Sequence, residues 1–297
     1  MREDHEDHED FEAQRPRLRA LAYRMLGSLA ETDDVVQEAW LRLERAGAEQ
    51  VRDLPAWLTT VVTRICLNLL RSRGTRREES LDAFTADWLG MADEGRVPED
   101  EALLSEQVGL ALLVVLDTLG PAERIAFVLH DLFDVAFDDI APMMERNAAA
   151  VRQLASRARR KVRAVPAPEP GSDPARRRRA VEAYLTAARA GDFEALLKLL
   201  DPDVVLNGDG TLTGTGRPVT LQGALTVAKS ATLATGRARF GAMALVDGEP
   251  ALIMAPLGHL VIVMRFAFDA ADPGRIRGID IAADPATLRG LSVQPIG

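Results

Sequence analysis

Apolar residues recur at helical spacing through the first half of the chain. Leu18, Leu21, Ala22 and Met25 fall at i, i+3, i+4 and i+7, and Gly27 stands where that helix would stop. Ser28 and Glu31 have capping-box spacing for a second helix, whose inward stripe is Val36, Ala39, Trp40 and Leu43. Asp53 and Pro55 suit an N-cap and an early proline. The helix they open turns Leu58, Val61, Val62, Ile65 and Leu69 inward, leaving Thr60, Arg64, Leu67, Asn68 and Arg71 on another face. These elements predict an all-helical domain over 11–73. Residues 74–105 are polar and broken by Gly74, Gly90, Gly95 and Pro98, which reads as a linker with short helical pieces around Trp88. Helical periodicity resumes over 106–164.

The pattern then changes. Residues 165–174, VPAPEPGSDP, hold four prolines in ten positions, so 165–175 reads as a stiff linker and a domain boundary. Beyond it, over 176–297, Val181, Tyr184, Leu185 and Ala188 form one helical stripe, and Phe193, Leu196, Leu197 and Leu200 a second. From about 204 the alternation is that of strands, with candidates at 237–246, 250–256, 259–268 and 275–282. Turns at Asp247-Gly248 and Asp272-Pro273-Gly274 separate them, and a third helix covers 222–234. The expectation is two all-α domains followed by an α+β domain, a curved antiparallel sheet packed on helices.

Within the second helical domain, three stripes follow one another: Ile125, Val128, Leu129 and Leu132; Phe137, Ile140, Ala141 and Met144; Val151, Leu154, Ala155, Ala158 and Val162. The turn Glu145-Arg146-Asn147 separates the last two, with Asn147 suited to cap the final helix. This is a helix-turn-helix pattern; Pro142 sits inside the second of the three helices, where a proline usually kinks a helix and is tolerable near the first turn. Removing the inward stripe from the last helix leaves Arg152, Gln153, Ser156, Arg157, Arg159, Arg160 and Lys161 outward. Early polar residues on such a helix can meet base edges in a major groove while later cations meet phosphates.

Charge sharpens that reading. The net charge of −9 argues against nucleic acid as a partner, but it is an average over segregated segments. Residues 2–12 carry seven acids and one Arg, whereas 64–77 carry five Arg and 147–163 carry five Arg and one Lys, with no acid in either. Local basic faces on an acidic chain fit directed phosphate binding. One cysteine, Cys66, allows no internal disulfide; no stretch is long and apolar enough for a membrane span, and the acidic start is unlike a secretory signal. A cytoplasmic protein is expected.

The stretches LRALAYRMLGSLAETDDVVQEAWLRL (18–43), DLPAWLTTVVTRICLNLLRSR (53–73) and LGPAERIAFVLHDLFDVAFDDIAPMMERNAAAVRQLASRARRKV (119–162) closely resemble bacterial extracytoplasmic-function sigma factors. The first two resemble conserved region two and the last region four. Residues 176–297 are similar to a SnoaL-like cone, the extension of one subgroup of that family. NGDG (207–210) matches the subgroup's glycine-rich signature only in part, and ADPATL (283–288) stands where its Asn-Pro-Asp-Lys-like motif would be. The resemblance implies a sigma factor that binds core RNA polymerase and directs promoter recognition and melting, without enzymatic activity or cofactor. Asp33, Asp34, Gln37 and Glu38 match the polymerase-binding helix. Arg64, Asn68 and Arg71 fall where the family engages the minus-ten element, with Arg73, Arg76 and Arg77 following on the same basic run. The helix-turn-helix matches the minus-thirty-five reader. A regulatory role, with a small-molecule ligand as a candidate, is implied for the C-terminal domain.

Other residues invite chemistry. His5 and His8 sit in the acidic tail and read as unstructured; His130 reads as a partly buried structural histidine, and Trp40, Trp57 and Cys66 as core. His259 lies at a strand start after Leu257-Gly258, and Asp201, Asp203, Asn207 and Asp209 cluster near the mouth of the expected cone, but at no spacing that specifies acid–base chemistry. Two rival functions stay open: a one-component regulator with a ligand-sensing C-terminal domain, and a SnoaL-like enzyme fused to DNA-binding modules. The acidic stripe at 33–38 speaks against the first.

Overall fold

The computed structural model describes residues 3–47, 51–74, 109–162, 173–212 and 216–296. Arg76, Arg77 and the expected linker around Trp88 lie outside them. The chain divides into two compact units, 1–77 with 116–161 and 78–115 with 162–297. Both basic helical modules thus fall within one unit, although residues 74–105 separate them in sequence.

In the first unit, α1 (Glu3–Leu26) starts inside the acidic tail, so His5 and His8 stand on a helix. Its expected stripe, Leu18, Leu21, Ala22 and Met25, is fully buried, and it ends at Gly27, whose amide donates to the Tyr23 carbonyl at 2.7 Å and whose φ of 74° turns the chain out of the helix. Ser28 then caps α2 (Leu29–Ala46), its side chain accepting from the Glu31 amide at 3.4 Å. The reciprocal half of the capping box does not form, because the Glu31 carboxylate pairs with Arg73. Trp40 is half-buried on Phe11, with ring centroids 5.0 Å apart. Asp53 caps α3 (Leu54–Gly74) through the Ala56 amide at 3.0 Å. The buried stripe of α3 is wider than the expected one and shifted from it: Leu58, Val61, Val62, Cys66, Leu67 and Leu70 are inside, while Ile65 and Leu69 are half-buried. Burial pushes the Cys66 thiol well above its ordinary value.

The same unit holds the end of α4 (Leu110–Asp117), α5 (Pro121–Phe127), a π-turn at Val128–Leu132, α6 (Phe137–Met143) and α7 (Ala148–Val162). Arg124 is the centre of its polar packing. The side chain is 4% exposed, and it donates from Nε to the Leu116 carbonyl (2.6 Å), from Nη1 to the Met25 carbonyl (2.8 Å) and from Nη2 to Asp117 Oδ1 (2.8 Å). A buried guanidinium is tolerable only when its donors are taken up this way. Met25 is the penultimate residue of α1, so this one side chain ties the second helical module to the first.

In the second unit, α8 (Asp173–Ala190) begins inside the proline-rich stretch and buries Val181, Tyr184, Leu185 and Ala188 as expected. α9 (Phe193–Leu199) follows, and Leu200, expected on its stripe, instead opens β1 (Leu200–Gly208). Then come β2 (Val219–Gln222), α10 (Ala224–Leu233), a short α11 (Thr235–Ala238) where a strand start was expected, β3 (Gly241–Val246), β4 (Glu249–Met254), β5 (Ile262–Phe268), β6 (Ile276–Ala282), α12 (Pro285–Arg289) and β7 (Val293–Gln294). Strand order is β2-β1-β6-β5-β4-β3-β7. The sheet is mixed: β1 runs parallel to β6, and the other pairs are antiparallel. Asp247 and Gly248, at φ 53° and 88°, make the two-residue hairpin between β3 and β4. Alternation along the strands sends Leu206, Leu252 and Ile279 toward α8, α9 and α10, and Ala251, Ile253 and Val263 toward Leu288 of α12 and Leu110 and Val114 of α4.

Arg124→Ala should lower the stability of the first unit by about 3–5 kcal/mol, read from urea unfolding, because it strands a half-buried carboxylate and two carbonyls. Asp117→Asn, which keeps an acceptor, should lose less than half as much. Equal losses from both would show that the tie to α1 contributes nothing.

Candidate nucleic-acid interface

α7 is built for a split role. Val151, Ala155 and Ala158 are fully buried and Val162 nearly so, while Leu154 is half-buried. Arg152, Gln153, Ser156, Arg157, Arg159, Arg160 and Lys161 are all exposed. Asn147 occupies the cap, its Oδ1 accepting from the Ala150 amide at 2.8 Å, so its side chain is engaged in starting the helix. The turn before it holds Glu145 at φ 56°, a left-handed position that reverses the chain after α6. Pro142 lies one residue from the end of α6, where only one more helical residue follows it, and not in the first turn. His130 is half-buried, with Nδ1 3.0 Å from the Val135 carbonyl and its ring stacked on Phe137 at 3.7 Å.

Three cations of α7, Arg152, Arg159 and Lys161, have partners within the unit. Arg159 pairs with Asp131, and Lys161 with Glu123 at 3.0 Å. Arg152 lies over the Phe137 ring at 5.5 Å, with Asp138 3.9 Å away. These carboxylates sit on or beside the helices that precede α7. They hold its long side chains in place along one face, at the small stabilisation typical of exposed pairs.

On α3, Arg64, Asn68 and Arg71 are exposed on one face, at i, i+4 and i+7. Arg64 Nη2 donates to the Pro142 carbonyl at 3.3 Å, so this face is turned toward α6 in the structure. Leu67, expected on the same face, is buried. Arg73 is turned inward, donating to the Leu26 carbonyl at 2.9 Å and pairing with Glu31. It belongs to the helix junction more than to an outward basic run. On α2, Asp33, Asp34 and Gln37 are exposed and Glu38 is half-buried. Arg19 holds Asp33 at 2.8 Å, and Arg42 holds Glu38 at 2.8 Å, one turn on. The acidic row is therefore oriented by neighbouring arginines and still faces outward.

Sequence reasoning missed Arg124 and Arg73 as structural residues. Arg124 could have been found: it stands at i−1 and i−4 to Ile125 and Val128, so it shares their buried side of α5. In the α+β unit, the cluster near the cone mouth is bound up in turns. Asp201 Oδ1 accepts from the Asp203 amide at 2.9 Å, and Asn207 donates to Asp280 at 3.1 Å. Asp209 accepts from the amides of Ala283 (2.6 Å) and Asp284 (2.8 Å), joining NGDG to ADPATL. Among the described residues no group of histidine, cysteine and acidic side chains is placed to hold a metal ion, and no helix is long and apolar enough to cross a membrane.

Residues 11–76 match the family model for sigma-70 region 2, and 109–162 that for sigma-70 region 4. The chain is similar to the ECF RNA polymerase sigma factor SigJ of Mycobacterium tuberculosis, at 35% identity over 97% of this chain and 96% of that protein. The crystal structure of the same sigma factor matches at 27% identity with a TM-score of 0.43, covering 95% of this chain and 98% of that one. With both sigma regions present, and with similarity extending through the α+β unit, this chain belongs to the extracytoplasmic-function sigma factor family.

Proposed function

We propose that the exposed polar face of α7 reads the upstream promoter element, that α3 engages the melted downstream element through Arg64, Asn68 and Arg71, and that the acidic row on α2 docks on core RNA polymerase. As a sigma factor the chain directs promoter-specific transcription initiation. The observation that carries the assignment of faces is the division of α7: every inward position is apolar, and every outward one from Arg152 to Lys161 is polar or cationic. Arg152, Gln153 and Ser156 lie at the start of that face and suit base edges; Arg157, Arg159, Arg160 and Lys161 follow and suit phosphates. Arg76 and Arg77 extend the basic run beyond α3. The α+β domain regulates this activity through a bound small molecule and performs no reaction of its own. The carboxylates of Asp201, Asp209 and Asp280 support that reading, since backbone amides and the Asn207 side chain occupy them. A cytoplasmic location follows from work on core polymerase.

Arg152→Ala and Gln153→Ala should each cost about 1–3 kcal/mol on the preferred upstream element and relax preference at one base position, whereas Arg160→Ala should weaken all sequences alike. Gel-shift titration across single-base variants checks this, and two alanine variants with unaltered preference would remove α7 from the groove.

Asp34→Lys with Glu38→Lys should reduce core polymerase capture more than tenfold. Unfolding should move by no more than ~0.5 kcal/mol, because both positions are outside the core. Undiminished capture in a pull-down would dismiss the acidic row as the docking face.

Deleting 176–297 should change run-off transcription severalfold at matched polymerase occupancy. An equal transcript yield would show that the α+β domain has no regulatory part.

A further inference from the structure

The α+β unit contains a cavity of about 240 Å³ between the sheet and its helical cover. Strand register makes its floor: Leu206 faces Leu221, Met254 faces Ile262, and Met264 faces Ile281, so three cross-strand pairs put six apolar side chains on one side of the sheet. Its roof comes from α10 and α11, where Ser230, Ala234 and Arg237 stand at i, i+4 and i+7. Ser230 and Arg237 are half-buried, and they are the polar side chains of the lining; no acid or histidine is among the described lining residues.

We infer that this cavity binds a small amphipathic monoanion, an apolar body of about ten non-hydrogen atoms at interior packing density carrying one carboxylate that meets Arg237 and Ser230. The apolar floor excludes a polar body. A guanidinium at the edge of a low-dielectric space favours a carboxylate through paired, charge-assisted hydrogen bonds. Two methionines in the floor let it adapt to the exact shape of the chain or ring. Gly208 sets the size from one side. A Cβ there would lie 2.8 Å from Leu212 Cδ2 and 2.9 Å from Val219 Cγ1, and both of those side chains line the cavity. A larger residue at 208 would displace them. Among the described residues the lining also lacks a base or an acid to move a proton, which fits retention of the ligand and not its conversion. The inference rests on the reading of the α+β domain as a ligand-dependent regulator, and supplies the class of ligand.

The test uses the full-length protein, titrated with octanoate and with 1-octanol, the neutral molecule of the same reach. Heats of binding and the resonances of ¹³C-methyl methionine are the readouts. Octanoate should saturate at one per chain and shift Met254 and Met264 among the eight methionines, with 1-octanol at least tenfold weaker. Arg237→Leu should weaken octanoate at least tenfold and erase the gap between the two probes. Arg237→Lys should keep the gap. Ser230→Phe, which fills the roof, should remove both ligands with the melting temperature unchanged. Because Arg237→Leu also disturbs other packing, the lysine and phenylalanine variants decide the matter if it fails to fold. No saturation by octanoate, shifts at other methionines alone, or octanoate binding that survives Ser230→Phe would overturn the inference. Run-off transcription with and without octanoate separates it from the reading beneath it. Binding with an unchanged transcript upholds the cavity and sinks ligand-dependent regulation. No binding, with transcription that still depends on 176–297, overturns the cavity and leaves regulation standing.

Discussion

One buried cation organises the helical half of this sigma factor. A guanidinium out of water needs acceptors for its donors, and Arg124 finds them on Leu116, Asp117 and Met25. Two of the three belong to its own module, and the third is the carbonyl near the end of α1. Helix ends carry carbonyls that lack partners within the helix, so the end of α1 is a natural place for such a bond. The helices around that point pack as one body, and the exposed faces of α2, α3 and α7 are what remains once the apolar stripes and this cation are satisfied. Polymerase and DNA contacts are thus assigned to surfaces whose positions follow from an interior requirement.

Much of this half was legible from spacing alone. The stripes on α1 and α7 follow the helical period, and the caps at Ser28, Asp53 and Asn147 were visible as residue types at the right positions. The errors came where a side chain had two plausible partners. Glu31 was assigned to its own helix start, yet its carboxylate goes to Arg73, which sequence placed on the DNA. A local hydrogen bond lost to a partner 42 positions away, and no local rule ranks the two. The stripe on α3 was also shifted, because Leu67 and Cys66 both fit an apolar face and only tertiary packing selects between adjacent positions.

In the α+β domain, alternation located β4, β5 and β6 and the hairpin at Asp247-Gly248. It could not show that β1 begins at Leu200, since a leucine after Leu196 and Leu197 continues a helical stripe equally well. Nor could it show that β1 lies parallel to β6. That pairing joins Leu206 to Ile279, and hydropathy carries no record of direction. The consequence for the candidate site is direct: the parallel pair brings NGDG beside ADPATL, where Asp209 binds the amides of Ala283 and Asp284. A motif that sequence could recognise only in part is held by one carboxylate.

The paired cations of α7 bear on how this protein would respond to ionic strength. A cation that reaches DNA from free solution releases a condensed counterion, and the binding constant falls with salt by about 0.9 log units per such contact for each tenfold rise in concentration. On the proposed reading, Arg159 and Lys161 would instead leave Asp131 and Glu123 in turning to a phosphate. Salt weakens the internal pairs as well as the new ones, so the two losses partly cancel. Such an exchange would make α7 a poorer general polyanion binder than its charge implies, and would leave its affinity for a promoter less sensitive to the ionic state of the cell than a count of basic residues would give.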